Sequence, residues 1–315
     1  MDRSGDARAS GAGTNRRVAI TGATGFLGRA LERALRAGGH RVVRIVRSPA
    51  RAGAEDVVWD PAVAALDPRA IEGCDAVVHL AGEPIDQRWN DSVKVAIRAS
   101  RVESTGQLAR AIATLDRRPT VFISGSAMGI YGDRGDEELD ERSRPGSGFL
   151  AEVVQAWEAA AEPARSAGVR VVHPRTGVVL GTSGGALARM LPPFKLGAGA
   201  TLGDGKQWSS WIALGDWVAA AQFALATDSL HGPYNAVSPH PVTNAAFTEA
   251  LGHALHRPTI ASAPRFALRL LFGEMTDDVL LASQRARPRA LEQAGFHFGQ
   301  PLLEGALRAE LSARD

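Results

Sequence analysis

Three features of the 315-residue sequence predict an α/β protein built on a doubly wound parallel sheet, with a smaller C-terminal lobe. Residues 18–28 run from β-branched Val18, Ile20 and Thr21 into glycines at 22, 25 and 28, and an amphipathic run follows to Ala37. Short apolar runs then alternate with helical patterns, the signature of a parallel sheet. Beyond Gly177 the texture changes, becoming rich in Gly and Pro before further helical runs.

The first unit sets the chemistry. Residues 18–21 read as a strand, the glycines as a tight turn, and Phe26, Leu27, Ala30, Leu31, Ala34 and Leu35 as the apolar positions of a helix. A dinucleotide site needs that order. Gly22 permits the sharp turn, Gly25 lets backbone approach a pyrophosphate, and Gly28 lets the helix pack on the strand. The helix start, with Thr24, Phe26 and Leu27 around it, offers N–H groups and a positive dipole end. Gly38-Gly39 ends the helix, and residues 41–46 form the next strand. A site for NAD places Asp or Glu at the end of that strand. Here stand Arg47 and Ser48, and a cation suits the 2′-phosphate of NADP. The competing reading of Arg47 is a solvated surface arginine.

Taken in order, residues 1–16 lack periodicity and are expected to be a disordered tail. Residues 56–60 read as a short strand and 61–72 as a helix with its approach. Residues 75–82 form a nearly continuous apolar strand, the kind buried on both faces of a parallel sheet. Its carboxyl end would border the cofactor crevice, which makes Leu80, Ala81 and Gly82 candidate neighbours of the cofactor; Gly82 as a plain turn glycine is the alternative. A helix is expected over 90–115, a strand over 120–124, a polar glycine-rich loop over 125–148, a helix over 149–167 and a strand over 169–173. Residues 181–205 read as a Gly/Pro-rich loop. A helix to Ala226, a strand at 232–235 and a helix over 244–255 with an Asn or Thr cap follow. The boundaries expected are the tail, a cofactor-binding domain at 17–180 whose core continues to about residue 240, and a substrate-side lobe at 181–315.

Composition narrows the function classes. A net charge of +2 and no long basic run give no basis for a nucleic-acid partner. Cys74 is the only cysteine, which excludes a disulfide framework or cysteine metal cluster, and His253 and His256 lack a third ligand, so no metal is expected. The first residues are polar and no apolar run approaches the about 20 residues of a membrane span, so the expected location is cytoplasmic, without a membrane partner. The partners expected are a small-molecule substrate and, as an open alternative to a monomer, a second copy in a homodimer.

Thr21-Gly-Ala-Thr-Gly-Phe-Leu-Gly28 resembles the T-G-x-x-G-x-x-G signature of extended short-chain dehydrogenases and sugar-nucleotide epimerases. The runs at 80–85, Arg88-Trp89, Ser100-Arg101, 126–132, Trp157-Glu158, 175–180, 184–187, Pro193-Phe194, Gln207, Trp211-Ile212, 273–275 and Gly295-Phe296 are similar to one atypical branch, the NAD-dependent epimerase-like proteins with an appended C-terminal domain of unknown function. The resemblance covers roughly residues 17–310. It implies a Rossmann-type fold and NADP binding, and no particular substrate. It also implies that Arg47 and Arg101 meet the 2′-phosphate end, that Leu80 and Ala81 lie along the adenosine ribose, and that Ser124, Ser126 and Pro174 sit near the nicotinamide.

The superfamily's usual proton relay is missing. Its tyrosine and lysine are spaced Y-x-x-x-K, the lysine lowering the tyrosine pKa. The residues four before Lys94, Lys195 and Lys206 are Asn90, Leu191 and Leu202, and Phe149 and Val153 stand where the pair should fall. The catalytic candidates left are Ser126, in the position of the superfamily serine, Tyr131 in the same loop, and Glu83 after a strand's carboxyl end. Tyr131 has a structural alternative, and Glu83 that of a loop carboxylate capping a helix or pairing with arginine. Arg88 and Trp89 are candidate substrate contacts, with Lys195, Gln207, Trp208 and Trp211 on the opposite wall if the lobe closes over it. Packing between lobes is the alternative for the tryptophans. Two functions stay open: an NADP(H)-dependent epimerase-like oxidoreductase acting on a small polar metabolite, and a catalytically degenerate NADP(H) sensor or regulator.

Overall fold

The computed structural model describes residues 15–312. Its main sheet follows from the apolar runs. The parallel strands are β1 (Arg17–Thr21), β2 (Arg41–Val46), β3 (Val57–Val58), β4 (Ala76–His79), β5 (Val121–Ser124), the short β6 (Ser126–Ala127), β8 (Arg170–Thr176) and β13 (Gly232–Ala236). Their order is β13-β8-β5-β4-β1-β2-β3, with β6 added beside β8. The chain leaves β1 first toward β2 and β3, then crosses to β4, so the sheet reverses direction between β1 and β4. Ligands of open α/β sheets bind outside the strand ends at such a reversal.

Alternation along the strands builds a core on each face. Val18 and Ile20 of β1, Val78 of β4 and Ile123 of β5 face one way, against Leu31 and Leu35 of α1 (Phe26–Ala37) and Trp217, Ala220 and Ala224 of α6 (Leu214–Ala226). Ala19, Val77 and Phe122 face the other way, against Leu108 and Ile112 of α2 (Asp91–Ala113) and Ala164 of α4 (Glu162–Ser166). Each large side chain so buried contributes about 1.5–3 kcal/mol relative to exposure. One-residue slips are forbidden, because they would exchange the two faces.

The lobe is made of smaller pieces. Strand pairs join β9 (Val178–Leu180) to β12 (Trp211–Ala213), β10 (Ala200–Leu202) to β15 (Ala261–Ala263), β11 (Trp208–Ser209) to β14 (Val242–Thr243), and β7 (Glu138–Leu139) to β16 (Arg285–Ala286). Around them lie α5 (Gly185–Lys195), α7 (Asn244–Leu255), α8 (Arg265–Phe272), α9 (Arg289–Gln293) and α10 (Leu303–Ser312). Leu187, Leu191, Phe194, Trp211, Phe247, Leu251, Ala306 and Leu307 form a core shared by α5, α7, α10, β9 and β12. Thr243 caps α7 by accepting from the Ala246 N–H.

Four local expectations need correction. Residues 61–72 form only a 3-10 turn at Pro68–Ile71, because Pro68 cannot continue a helix from the preceding residues. The helix expected over 149–167 breaks at Ala160 into α3 (Phe149–Ala159) and α4, which has Pro163 in its first turn. Residues 185–195, read as loop, are helix α5 despite Pro192 and Pro193, since Leu187, Leu191 and Phe194 bury one stripe. The disordered tail lies outside the described residues except for Asn15 and Arg16. Arg16 is tied down, its N–H donating to His40 and its guanidinium to the Leu225 carbonyl.

Candidate functional site

The strand ends at the sheet reversal open into a cavity of about 760 Å³. Gly22, Thr24, Gly25, Arg47, Ser48, Leu80, Ala81 and Gly82, the residues expected at the cofactor, line it together with Glu83, His79, Trp59, Asp60, Arg51 and Ser100. The three glycines do different jobs. Gly22 has φ +68°, a left-handed conformation that favours glycine, and an added Cβ would sit 2.7 Å from the Leu80 carbonyl carbon. At Gly28 it would strike the Gly22 carbonyl oxygen and the Ala23 backbone, so Gly28 serves close helix packing. At Gly25 it would meet only the Gly22 carbonyl oxygen, at 3.2 Å. Gly25 therefore keeps a face open to the cavity. It is also the N-cap residue of α1, whose first turn carries no acidic side chain, so the positive helix end is uncompensated.

Phe26 and Leu27 begin α1 and do not line the cavity. The Phe26 ring is instead clasped by the lobe. A Cβ added to Gly181, Gly184 or Gly185 would lie 2.6, 2.8 or 3.0 Å from it.

At the far end of the cavity the cations are free. Arg44 is paired with Asp56, and that carboxyl also accepts from the Gly53 N–H; hydrogen bonds from Arg44 outweigh burial and hold Asp56 below the usual carboxylate range. Arg47 and Arg51 have no carboxylate partner among the described residues. Arg51 follows Arg47 by four residues in the 3-10 turn Pro49–Arg51. Sequence reasoning missed it, although the spacing was there to be seen.

The cavity floor is a buried hydrogen-bond column. Ser104 Oγ donates to the Ser100 carbonyl (2.6 Å), so it accepts from His79 Nε2 (3.0 Å). His79 Nδ1 then accepts from the Thr21 hydroxyl (2.6 Å), whose oxygen accepts from the Leu80 and Ala81 N–H groups (both 3.2 Å). This assignment makes His79 a neutral imidazole protonated at Nε2, and full burial pushes its pKa down to about 4. The column locks the ends of β1 and β4 together where the sheet reverses.

Beside the cavity, past the end of β5, Ser126 begins a second network. Its hydroxyl donates to Glu158 Oε1 (2.6 Å). Arg175 grips the same carboxylate through Nε and Nη2, both at 2.9 Å. Burial opposes the Glu158 charge, but Arg175 outweighs it and holds the carboxyl below its usual range. Neither Glu158 nor Arg175 was among the site candidates, although both fall in runs that carry the family resemblance; their pairing across 17 residues is what the sequence did not show. Ser124, at the end of β5, keeps its buried hydroxyl oxygen without a partner among the described residues. Pro174 lies within β8, next to Arg175.

Several expected site residues are placed elsewhere. Tyr131 is fully buried, its hydroxyl between Arg175 Nη1, Asn235 Oδ1 and the Asp140 carbonyl, all at 2.9 Å. Burial pushes its pKa up to about 12, and with its hydroxyl engaged by these three protein groups it is placed as the structural alternative has it. Arg101 does not reach the Arg47 end. It donates to the Glu83 and Ile97 carbonyls and lies 5.3 Å from the Trp157 ring. Burial lowers its pKa to about 10. It supports the Gly82–Glu83 turn from behind. Glu83 accepts from Gln87 Nε2 (3.2 Å) while its N–H donates to Ser100 Oγ (2.9 Å), a loop carboxylate at the cavity rim.

The residues expected on the substrate walls lie outside this cavity. Trp89 is buried, donates to the Ile85 carbonyl and meets Phe149 edge-on at 5.2 Å, with Met275 in the same cluster. Val153 is buried there too, and Lys94 Nζ lies 5.4 Å from the Phe149 ring. Arg88 is exposed and donates to the Leu270 carbonyl. Gln207 bonds the Leu202 and Leu280 carbonyls, and Trp208 donates to Asp136 beneath Arg285. Trp211 is wholly buried, and exposed Lys195 ends α5 with its carbonyl bound by Arg257. None of these six lines the cavity.

A glycine turn, an uncompensated helix start and a cavity at the sheet reversal are dinucleotide-site features, and comparison with known proteins agrees. Residues 18–237 match the model of the NAD dependent epimerase/dehydratase family. The chain belongs to this family. Residues 263–310 match a domain of unknown function, DUF1731. An epimerase family protein of Mycobacterium bovis is 48% identical over 291 residues, covering 92% of this chain and 96% of that protein. The crystal structure of the human epimerase family protein SDR39U1 with NADPH superposes with a TM-score of 0.86 at 35% identity, covering 94% of this chain and all of that one. A nucleoside-diphosphate sugar epimerase from Corynebacterium glutamicum gives 0.79 at 41% identity, covering 95% of this chain and 59% of that one. No helix among the described residues is long and apolar enough to cross a membrane.

Proposed function

We propose that this epimerase-family chain binds NADP(H) in the 760 Å³ cavity and acts as an oxidoreductase or epimerase on a small polar metabolite. Residues 17–180, with the sheet continued to about 240, form the cofactor-binding part, and 181–315 the substrate-side lobe. The observation that carries the reading is the pair Arg47 and Arg51, without carboxylate partners among the described residues, at one end of a cavity whose other walls are the glycine turn and the α1 N-terminus. That is a divided site, with N–H groups for a pyrophosphate and cations for a 2′-phosphate. The open face of Gly25 fits such a ligand. The human relative's crystallisation with NADPH supports the choice of cofactor.

NADP(H), when bound, supplies a hydride acceptor or donor. The chain's own contribution centres on Ser126. Its proton is committed to Glu158, so its lone pairs are left for a group that donates, such as a substrate hydroxyl. A proton given to Ser126 Oγ passes on as the serine proton moves to Glu158 Oε1. Arg175 keeps that carboxylate ionised and aimed. Ser126 and Glu158 thereby take the place left by the missing tyrosine and lysine.

A second reading, a cofactor-binding sensor without turnover, is favoured by one observation: Phe149, Val153, Trp89 and Met275 fill the position of the missing pair with apolar packing. Calorimetric titration with NADPH and NADH, followed by a turnover screen of polyols, sugar derivatives and hydroxy acids with NADP⁺, tests both. NADPH selectivity with turnover supports the enzyme, and tight NADPH binding with no turnover on a broad panel supports the sensor. Equal affinity for the two cofactors refutes the shared premise.

A further inference from the structure

Helix α8 is poorly anchored for an element of a folded lobe. It buries one side chain, Leu268, while Phe266, Leu270 and Leu271 are 76%, 74% and 66% exposed. Ile260, just before β15, is 97% exposed. Single exposed apolar residues are ordinary, but this concentration within a dozen residues is the kind of patch that marks an interaction surface. With Phe272 these side chains offer roughly 600 Å² of apolar surface, so a symmetric pairing that also covers a polar rim reaches the lower range of stable interfaces.

A second feature lies next to it. Strand β15 is the outer member of a two-stranded ribbon, and its free edge makes no backbone hydrogen bond to another strand among the described residues. Ala261, Ser262 and Ala263 are small, so a second strand can approach closely. Lipid cannot satisfy such an edge, whereas another strand can.

Charge decides the occupant. Arg265 and Arg269, the cations of α8, both bridge to Asp277 of the same chain, at 2.6 and 2.7 Å. A surface built for anionic lipid or an acidic protein leaves its cations free for the partner. Here they are matched internally, and two such faces meet without like-charge repulsion. We propose that α8 and the edge of β15 form the two-fold interface of a homodimer, each element meeting its own symmetry mate. The proposal does not depend on the reading of the cofactor site.

The test is the mass of the full-length protein by sedimentation equilibrium across a wide concentration range, at low and raised salt, for wild type and for Phe266→Asp/Leu270→Asp. Both substituted side chains are exposed, and circular dichroism checks that the variant folds. The expected result is a wild-type dimer that persists at raised salt and a folded variant whose dissociation constant rises about a hundredfold, as for the loss of central apolar contacts. If the double variant fails to fold, Leu270→Ala must still weaken the dimer measurably. A monomeric wild type overturns the proposal, as does a dimer that the substitutions leave intact. A monomer that floats with phosphatidylcholine–phosphatidylglycerol vesicles overturns it in favour of a membrane surface.

Discussion

Replacing Arg47 and Arg51 by alanine isolates the part of cofactor affinity that depends on the 2′-phosphate. Both side chains stand at the cavity's end, exposed and without carboxylate partners among the described residues. Exposure matters to the size of the effect, because water and salt screen each contact and hold it to the lower part of the range for charged hydrogen bonds. Each single substitution is then expected to weaken NADPH binding about five- to tenfold, and the pair about 25- to 100-fold if the contacts add. NADH has no 2′-phosphate, and its affinity should stay within about twofold throughout. The assay is calorimetric titration of wild type, both single variants and the double variant with NADPH and NADH, at low and raised ionic strength. The wild-type preference should shrink as salt is added. A double variant that still prefers NADPH as strongly as wild type would refute the reasoning, since the selectivity would then reside elsewhere.

The glycine turn separates binding from folding: Gly25→Val should abolish NADPH binding while the protein stays folded, at a cost of about 1 kcal/mol as a poor N-cap, and Gly28→Ala should cost about 1–3 kcal/mol through its clash with the Gly22 carbonyl, both read by thermal unfolding and titration. For any substrate found, Glu158→Gln should lower kcat by about 10²–10⁴-fold and remove the acid limb of the pH–rate profile, with Glu158→Asp partly restoring both; an unchanged profile removes Glu158 from the chemistry. Tyr131→Phe should lower stability by about 1–3 kcal/mol, because Arg175 and Asn235 lose a buried partner, yet leave kcat near wild type. His79 and His173 are both held neutral by burial, with pKa values of about 4 against an unfolded value near 6.5. The unfolded state therefore binds more protons as pH falls from about 6.5 toward 4, and denaturant titrations across that window should show a loss approaching about 3 kcal/mol per histidine.

The parts legible in the sequence were those whose physics is local. Val18, Ile20 and Thr21 running into Gly22, Gly25 and Gly28 announced strand, turn and helix, and the blank left by a carboxylate at Arg47 announced the cavity's charge. The apolar run at 76–79 placed Leu80, Ala81 and Gly82 at the crevice for the same reason. Residues whose role depends on a distant partner were not legible. Glu158 acquires its place only when β8 brings Arg175 to it, and Arg101 is held away from the Arg47 end by the Glu83 carbonyl and the Trp157 indole, which its own helix does not reveal. Trp211 looked like a pocket wall because aromatic residues serve packing and recognition equally well, and only burial separates the two uses. The prolines in α5 misled in the opposite direction, since Leu187, Leu191 and Phe194 gain more from burial than the last turn loses in hydrogen bonds.

The Phe26 ring, held against Gly181, Gly184 and Gly185, ties the two halves of the chain into one heritable unit. A nucleotide-binding half grafted from a relative would need its aromatic at this position to find three side-chain-free residues waiting in the recipient. Conversely, a lobe with any side chain at those glycines would push on the first turn of α1, beside the glycine turn that lines the cavity. Recombination between family members, in the laboratory or in evolution, should therefore succeed when residues 26 and 181–185 travel together and fail when a crossover falls between them.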